Sequence, residues 1–404
     1  MNILVIGNGF DLAHGLPTRY TDFLEWIVGE YKFYYMLRKQ GAQLTNLIDP
    51  ITLKISPEID GIEIHQRINH QEEIWNCIDN NVWIEYFLAI YADRDNISKN
   101  GWIDFEGEIS RVIKSLDDDM NTLSGQRIDL EDKIQHITNK FLRQKWSHWI
   151  SKKTYRELRD TLLSDLNNLI RAFEFYLTEY IEKIDITSIS PDVKEIVAST
   201  GKLHGVKQTL YSNVISFNYT NTYEKIYWNE KNFMNRREID YVHGKANSNN
   251  SAESNNMVIG IDEYLGKKKR NKYIEFIAFK KFYQRIYKQT GCKYKNWVET
   301  IHKSEENGNA WIYSNEYFKD KFNNLFFFGH SLDITDKDVL RELILHDNVY
   351  TTIFYHDKDA MGQQIANLVK VIGQNELIKR TGGSTKTIEF KLQKPMVPIK
   401  ANNI

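Results

Sequence analysis

The sequence predicts an α/β fold: a Rossmann-type, mostly parallel sheet interrupted by a large helical insertion. Three observations carry this expectation. Apolar runs of strand length occur at the start of the chain and again after residue 209, the first of them leads straight into a glycine turn, and the long stretch between has helical periodicity.

Residues 1–6 form an apolar run ending at Gly7, the texture of a strand buried on both faces. A helix is expected to start near Thr18 or Thr21, because Leu24, Ile27, Val28 and Tyr31 recur at i, i+3, i+4, i+7 spacing. Helical texture then dominates to about residue 204. It is clearest from Trp83 to Tyr91 and from Leu158 to Ile181, where Leu162, Leu166, Leu169, Ile170, Phe173 and Leu177 share a face. Strand-length runs return at 210–217, 240–243, 257–261, 325–329 and 349–355. The Ser- and Asn-rich segment 247–256 is expected to be a mobile loop. These elements divide the chain into a discontinuous α/β domain, 1–30 plus 205–404, and a mainly helical insertion, 31–204, with a regulatory or oligomerisation role.

Composition narrows the function. At 404 residues, 41% apolar and 13% aromatic, the chain can build real cores, which excludes general disorder. Lys plus Arg number 53 against 54 Asp plus Glu, so no global field demands nucleic acid or anionic lipid as partner. Two cysteines, Cys77 and Cys292, without C-x-x-C spacing exclude a disulfide framework and a thiolate zinc cluster. The opening has no basic leader, and no apolar run of about 18 residues follows it, so a cytoplasmic protein with no membrane partner is expected.

Four segments carry candidate chemistry. Gly7-Asn8-Gly9-Phe10-Asp11 follows the first strand, where glycines let a backbone turn closely and amides can hold phosphate oxygens. Leu12 stands where the dinucleotide fingerprint has its third glycine, so a tight structural turn is the competing account. Ser216-Phe217-Asn218-Tyr219-Thr220 ends a strand in polar groups. There Asn218 either fixes a ribose hydroxyl or water, or simply forms a turn. His243-Gly244 supplies an imidazole suited to acid–base work near neutrality, unless it is a satisfied core side chain. Gly329-His330-Ser331-Leu332 ends another strand. The aspartates after it, Asp333, Asp336 and Asp338, read as helix-start caps, with a divalent-ion site as the alternative and no metal expected. Separately, Gly266 to Arg270 is basic and leads into an aromatic stretch to Tyr287. An amphipathic helix with buried aromatics and solvated lysines is expected there, against a nucleic-acid-binding alternative.

Taken in order, these pieces resemble the sirtuin-like nucleotide-binding fold and, more closely, the AbiH family of bacteriophage abortive infection. The sirtuin pattern G-A-G-x-S-x-x-x-G-I-P-D is similar to Gly7–Thr18, with Gly7, Gly9, Gly15 and Pro17 in register and Asp11 in place of Ser. T-Q-N-x-D is similar to 216–220, keeping Asn218 but placing Thr220 at the Asp. His-Gly matches His243-Gly244, G-[ST]-S-L matches 329–332, and the opening G-N-G-F-D-L-A-H-G-L-P-T is the AbiH-like feature.

The resemblance implies NAD as substrate, hydrolysed to nicotinamide and ADP-ribose, with Asn218 positioning ribose or water and His243 as general base. It further implies nucleotide contacts at Gly7, Asn8, Gly9, Phe10, Asp11, Gly15, Pro17, Ser216, Thr220, Gly244, Gly329, His330 and Ser331, together with a phage-derived activator and a homo-oligomer. A protein deacylase is disfavoured, because the usual four-cysteine zinc module cannot be built from two cysteines. The rival expectations are a metal-dependent nuclease acting on RNA or DNA and a non-catalytic nucleotide sensor.

Overall fold

The computed structural model describes residues 1–40, 72–92, 103–121, 127–147, 150–197, 200–203, 206–209, 212–228, 238–265, 273–306, 323–384 and 386–399. The chain divides into two compact units. One comprises Met1–Pro17, Ile184–Ala246 and Lys288–Ile404, and the other Thr18–Lys183 and Asn247–Tyr287. The boundaries lie at 17/18 and 183/184 instead of the expected 30/31 and 204/205, and 247–287 groups with the helical unit.

The first unit is built on a six-stranded sheet: β1 (Asn2–Ile6), β2 (Ser212–Ser216), β3 (Ile239–Tyr241), β4 (Asn323–Phe328), β5 (Val349–Tyr355) and β6 (Ile388–Leu392). Their spatial order is β3-β2-β1-β4-β5-β6, and every neighbouring pair is parallel. This 3-2-1-4-5-6 order is that of a doubly wound, Rossmann-like sheet, so the α/β expectation holds. The order reverses between β1 and β4, which pair in register from Asn2↔Asn324 to Ile6↔Phe328.

Alternation along the strands sorts side chains to the two faces. Ile3, Val5, Ile215, Leu325, Phe327 and Ile353 pack into one apolar cluster. Leu4, Ile6, Val214, Phe328 and Phe354 pack into another on the opposite face. Because both faces are covered, β1 and β2 are buried at every residue, which is why their sequences read as unbroken apolar runs.

The expected strand at 257–261 does not form. Met257, Val258 and Ile259 are buried, but the segment makes only an isolated bridge, Ile261 to Lys280, in the helical unit. The expected run at 210–217 becomes β2 at 212–216, with residues 210 and 211 outside the described residues. β6 was not expected: Ile-Glu-Phe-Lys-Leu at the sheet edge buries fully only its first residue.

In the helical unit, the expected first helix spans Tyr20–Gln40 and the second Val82–Ala92. The third starts at Tyr155 behind a Thr154–Glu157 capping box and runs to Phe175, continuing as a π turn at Tyr176–Tyr180. Leu162, Leu166, Leu169, Ile170, Phe173 and Leu177 are all buried, as their spacing requires. Segment 247–256 is a loop, but a tied one: its Asn residues donate to the buried Glu174.

The basic run 266–270 lies outside the described residues. Its continuation follows the expected amphipathicity only in part: Phe276 and Phe279 are buried as expected, but Lys280, Lys281 and Arg285 are buried too, whereas Phe282, Ile286 and Tyr287 are exposed. The buried ammonium groups are satisfied by carboxylates, Lys280 by Glu263 at 2.7 Å and Lys281 by Glu106 at 2.8 Å. No helix of the described residues is long and apolar enough to cross a membrane.

Candidate functional site

Ligands of open α/β sheets bind outside the carboxyl ends of the strands, where the strand order reverses. In this chain that place is occupied by the loops after β1 and β4. They pack backbone against backbone: Gly9 N donates to Gly329 O at 2.8 Å and Gly7 N to Phe328 O at 3.3 Å. Side chains would not fit between them. A Cβ on Gly9 would lie 2.9 Å from Gly329 Cα, and one on Gly329, whose φ is +66°, only 2.1 Å from Phe10 N. The glycines therefore bring two loops together, and the Gly7 and Gly9 amides are spent on carbonyls.

The loop after β2 joins the same place through side chains. Thr220 Oγ1 donates to Asp11 Oδ2 at 2.7 Å, and Thr222 Oγ1 donates to Thr220 Oγ1 at 3.0 Å. Asp11 is 1% exposed and Asn218 4%. Burial pushes the Asp11 carboxyl up to about 6, with the side chains of Thr220, Thr222 and Asn218 pulling the other way. Asp11 Oδ1 and Asn218 Nδ2, both buried, make no well-aligned hydrogen bond. Ser216 shapes the turn: its Oγ donates to Asn218 O at 3.0 Å and accepts from Asn218 N at 3.2 Å.

The loop after β3 brings His243. Its ring stands edge-on to Phe217, with centroids 5.2 Å apart, and Phe217 in turn meets His330 at 4.3 Å. Ala246 N donates to Tyr219 O, locking the β2 and β3 loops together, while Gly244, at φ +80°, closes the turn after the histidine. His243 Nε2 lies 3.0 Å from Asp336 Oδ1, and His330 Nε2 lies 3.7 Å from Asp336 Oδ2.

Of the residues expected from sequence, the structure thus gathers Gly7, Gly9, Asp11, Ser216, Asn218, Thr220, His243, Gly244, Gly329 and His330. Others point elsewhere. Phe10 is fully buried in the apolar cluster beneath the site, against His14, Tyr227 and Phe328. Asn8 opens helix Asn8–Ala13, and Gly15 and Pro17 lie beyond that helix's other end. Ser331 is exposed, and its carbonyl accepts from Asn367 Nδ2 at 2.9 Å.

Asp336 is the member the sequence concealed, because an aspartate before a helix reads as a cap. Asp333 does cap, accepting from Thr335 N at 2.9 Å. Asp336 stands at the N-cap position of helix Lys337–Ile344 without any side-chain capping bond, its carboxylate turned to the imidazoles. Among the described residues no group of three His, Cys, Asp or Glu is arranged to hold a metal ion.

The family described as Bacteriophage abortive infection AbiH matches residues 3–356, well over half of the chain. The chain belongs to the AbiH family. Membership supports a role in phage abortive infection and says nothing of catalysis. A comparison with curated proteins finds no match to this AbiH-family chain.

Proposed function

We propose that this AbiH-family chain acts in abortive infection by hydrolysing NAD to nicotinamide and ADP-ribose. One observation carries the reading: Asp11, Asn218 and His243 stand in the loops at the carboxyl ends of β1, β2 and β3, beside the reversal point where such sheets hold nucleotides, with Thr220 bonded to Asp11 and Phe217 against His243. Nicotinamide leaves a pyridinium as a neutral base, so no general acid is needed, unlike ordinary glycoside hydrolysis. Asn218 Nδ2 holds a ribose hydroxyl or the attacking water, and His243 accepts the proton released as water adds to the sugar carbon.

Asp11 and Thr220 are the two departures from the sirtuin-like pattern that face each other, and they form one hydrogen bond. The carboxylate and the hydroxyl have exchanged loops. An anion at Asp11 disfavours a pyrophosphate beside it but favours the cationic pyridinium and the developing oxocarbenium ion. With the Gly7 and Gly9 amides already bonded, we assign this corner to the nicotinamide ribose rather than to the phosphates. Activity is kept off by the absence of a phage-derived activator, and homo-oligomer formation belongs to the same proposal.

The test is nicotinamide release from NAD by purified protein, with and without phage lysate, for wild type, Asn218→Ala and His243→Ala. Turnover is expected under activating conditions and is expected to vanish in both variants. Wild type that is thermally stabilised by NAD without turnover would instead make the chain a nucleotide sensor.

A further inference from the structure

β6 closes one side of the sheet, and its bonding to β5 shows which of its backbone groups are spent. Thr351 N donates to Thr387 O at 2.7 Å and Gln393 N donates to Tyr355 O at 2.9 Å. Successive residues of a strand turn their amides and carbonyls to opposite sides, so residues 387, 389, 391 and 393 face β5. Ile388, Phe390 and Leu392 present theirs outward, where no described residue bonds them. Such a row of donors and acceptors is a template for another strand. Nothing in the strand blunts it: β6 keeps register with β5 throughout, and the next proline is Pro395.

The side chains say which strand fits. Ile388-Glu389-Phe390-Lys391-Leu392 runs apolar, acidic, apolar, basic, apolar. Laid antiparallel on itself with Phe390 opposite Phe390, it sets Glu389 against Lys391 and Ile388 against Leu392. Sliding it by two residues either way sets Glu389 against Glu389 or Lys391 against Lys391, and like charges directly opposite are destabilising. The backbone selects the same register, because Phe390 with Phe390 and Ile388 with Leu392 then become pairs that exchange two bonds each. Glu389 is held from its own chain, where Tyr350 Oη and Thr352 Oγ1 donate to it at 2.8 and 3.1 Å. Lys391 is 48% exposed. Apolar surface lies beside the edge: Leu392 is 56% exposed, and Ile378 is 61% exposed on helix Gln374–Thr381, which the start of β6 meets through Thr387 N donating to Arg380 O.

We propose that β6 pairs with β6 of a second copy of this chain, antiparallel about a two-fold axis at Phe390, joining two sheets into one. Each copy offers the same patch, so the contact closes on itself as a dimer. This gives the homo-oligomer proposed above its surface, and it does not depend on NAD hydrolysis.

The experiment is sedimentation velocity of the full-length protein over a concentration series, for wild type, Glu389→Lys, Lys391→Glu, the two changes together, and Phe390→Pro. Wild type is expected to sediment as a dimer. Each single charge change sets like charges opposite each other at two symmetry-related places and is expected to weaken the dimer roughly 10-fold. The double variant restores unlike pairs and is expected to come back to within about 3-fold of wild type. It still lacks the bonds of Glu389 to Tyr350 and Thr352, so only contacts between copies can produce that recovery. Phe390→Pro removes an outward N–H and no bond to β5, a change that edge strands tolerate, and is expected to give a folded monomer by circular dichroism. A monomeric wild type, which would leave the edge to an extended segment of another protein, overturns the proposal. So does a dimer that neither single change weakens, or a double variant no stronger than the single ones. If Phe390→Pro does not fold, the charge exchange decides alone.

Discussion

Each unit of the molecule buries carboxylates almost completely, and two of them, one from each unit, are treated in opposite ways. Glu174, in the helical unit, is saturated. Arg171 pairs with it at 2.6 Å, and Asn247 N, Asn250 Nδ2 and Asn255 Nδ2 all donate to it. Asp11, in the sheet unit, receives a bond from Thr220, and its Oδ1 is left without a well-aligned donor. A buried charge is costly unless bonded, so a fold that only needed stability would complete the set. The contrast separates a carboxylate that ties a loop down from one suited to binding.

Breaking the saturated cluster is expected to cost most. Glu174→Ala leaves Arg171 buried with Glu73 as its remaining ion-pair partner among the described residues and three amide donors unmatched, a loss of about 3–5 kcal/mol. Urea denaturation checks it, and a loss below 1 kcal/mol would show that the loop's ties are dispensable.

Asp11→Asn should act with the opposite sign. The carboxyl is raised from 3.8 to about 6 in the fold, so its protonated form is the one the fold prefers. That contribution is full below pH 3.8 and is lost as pH rises through 6. Above pH 6 the wild type bears the cost of an ionised buried group, about 3 kcal/mol from the size of the shift. The variant is therefore expected to be more stable than wild type at pH 8, by less at pH 5, and to have lost nicotinamide release. Equal stability of the two proteins at both pH values would dissolve the contrast with Glu174.

How far the sequence exposed all this depended on whether a residue's neighbours in space were also signalled along the chain. β1 and β2 were legible because two-sided burial leaves an unbroken apolar run. The positions of Asn218 and His243 beyond strand ends were legible because each follows a short apolar run, while their roles remain those proposed above. The run 257–261 was equally apolar but found no strand to pair with, and pairing is a property of the whole fold. β6 hid behind the Glu and Lys of an edge strand. Helix Lys281–Tyr287 was read with its faces exchanged, since the carboxylates that draw Lys280 and Lys281 inward stand at Glu263 and Glu106. Asp336 lay in plain sight, yet local grammar made it a cap. Only the fold puts it within 3.0 Å of His243.

The smallest effect sharpens the comparison most, because it tests whether Asp11 depends on its one short bond. Thr220→Val removes the hydroxyl that donates to Oδ2 and leaves Thr222 with no acceptor at Thr220. Hydrogen bonds to a charged group are worth more than neutral ones, so the loss at pH 8 is expected to be about 1.5–2 kcal/mol. Since Thr220 holds the Asp11 carboxyl down, its removal should carry that group higher than in wild type. The fall in stability would still begin near the unfolded value of 3.8, but would continue to a higher pH and go further. In an Asp11→Asn background there is no charge to hold, and the same substitution is expected to cost well under half as much. Denaturation midpoints across pH 5–8 for the four proteins of the cycle decide the matter. A Thr220 cost that is the same with and without the Asp11 charge would mean that the hydroxyl serves the β2 loop rather than the carboxylate.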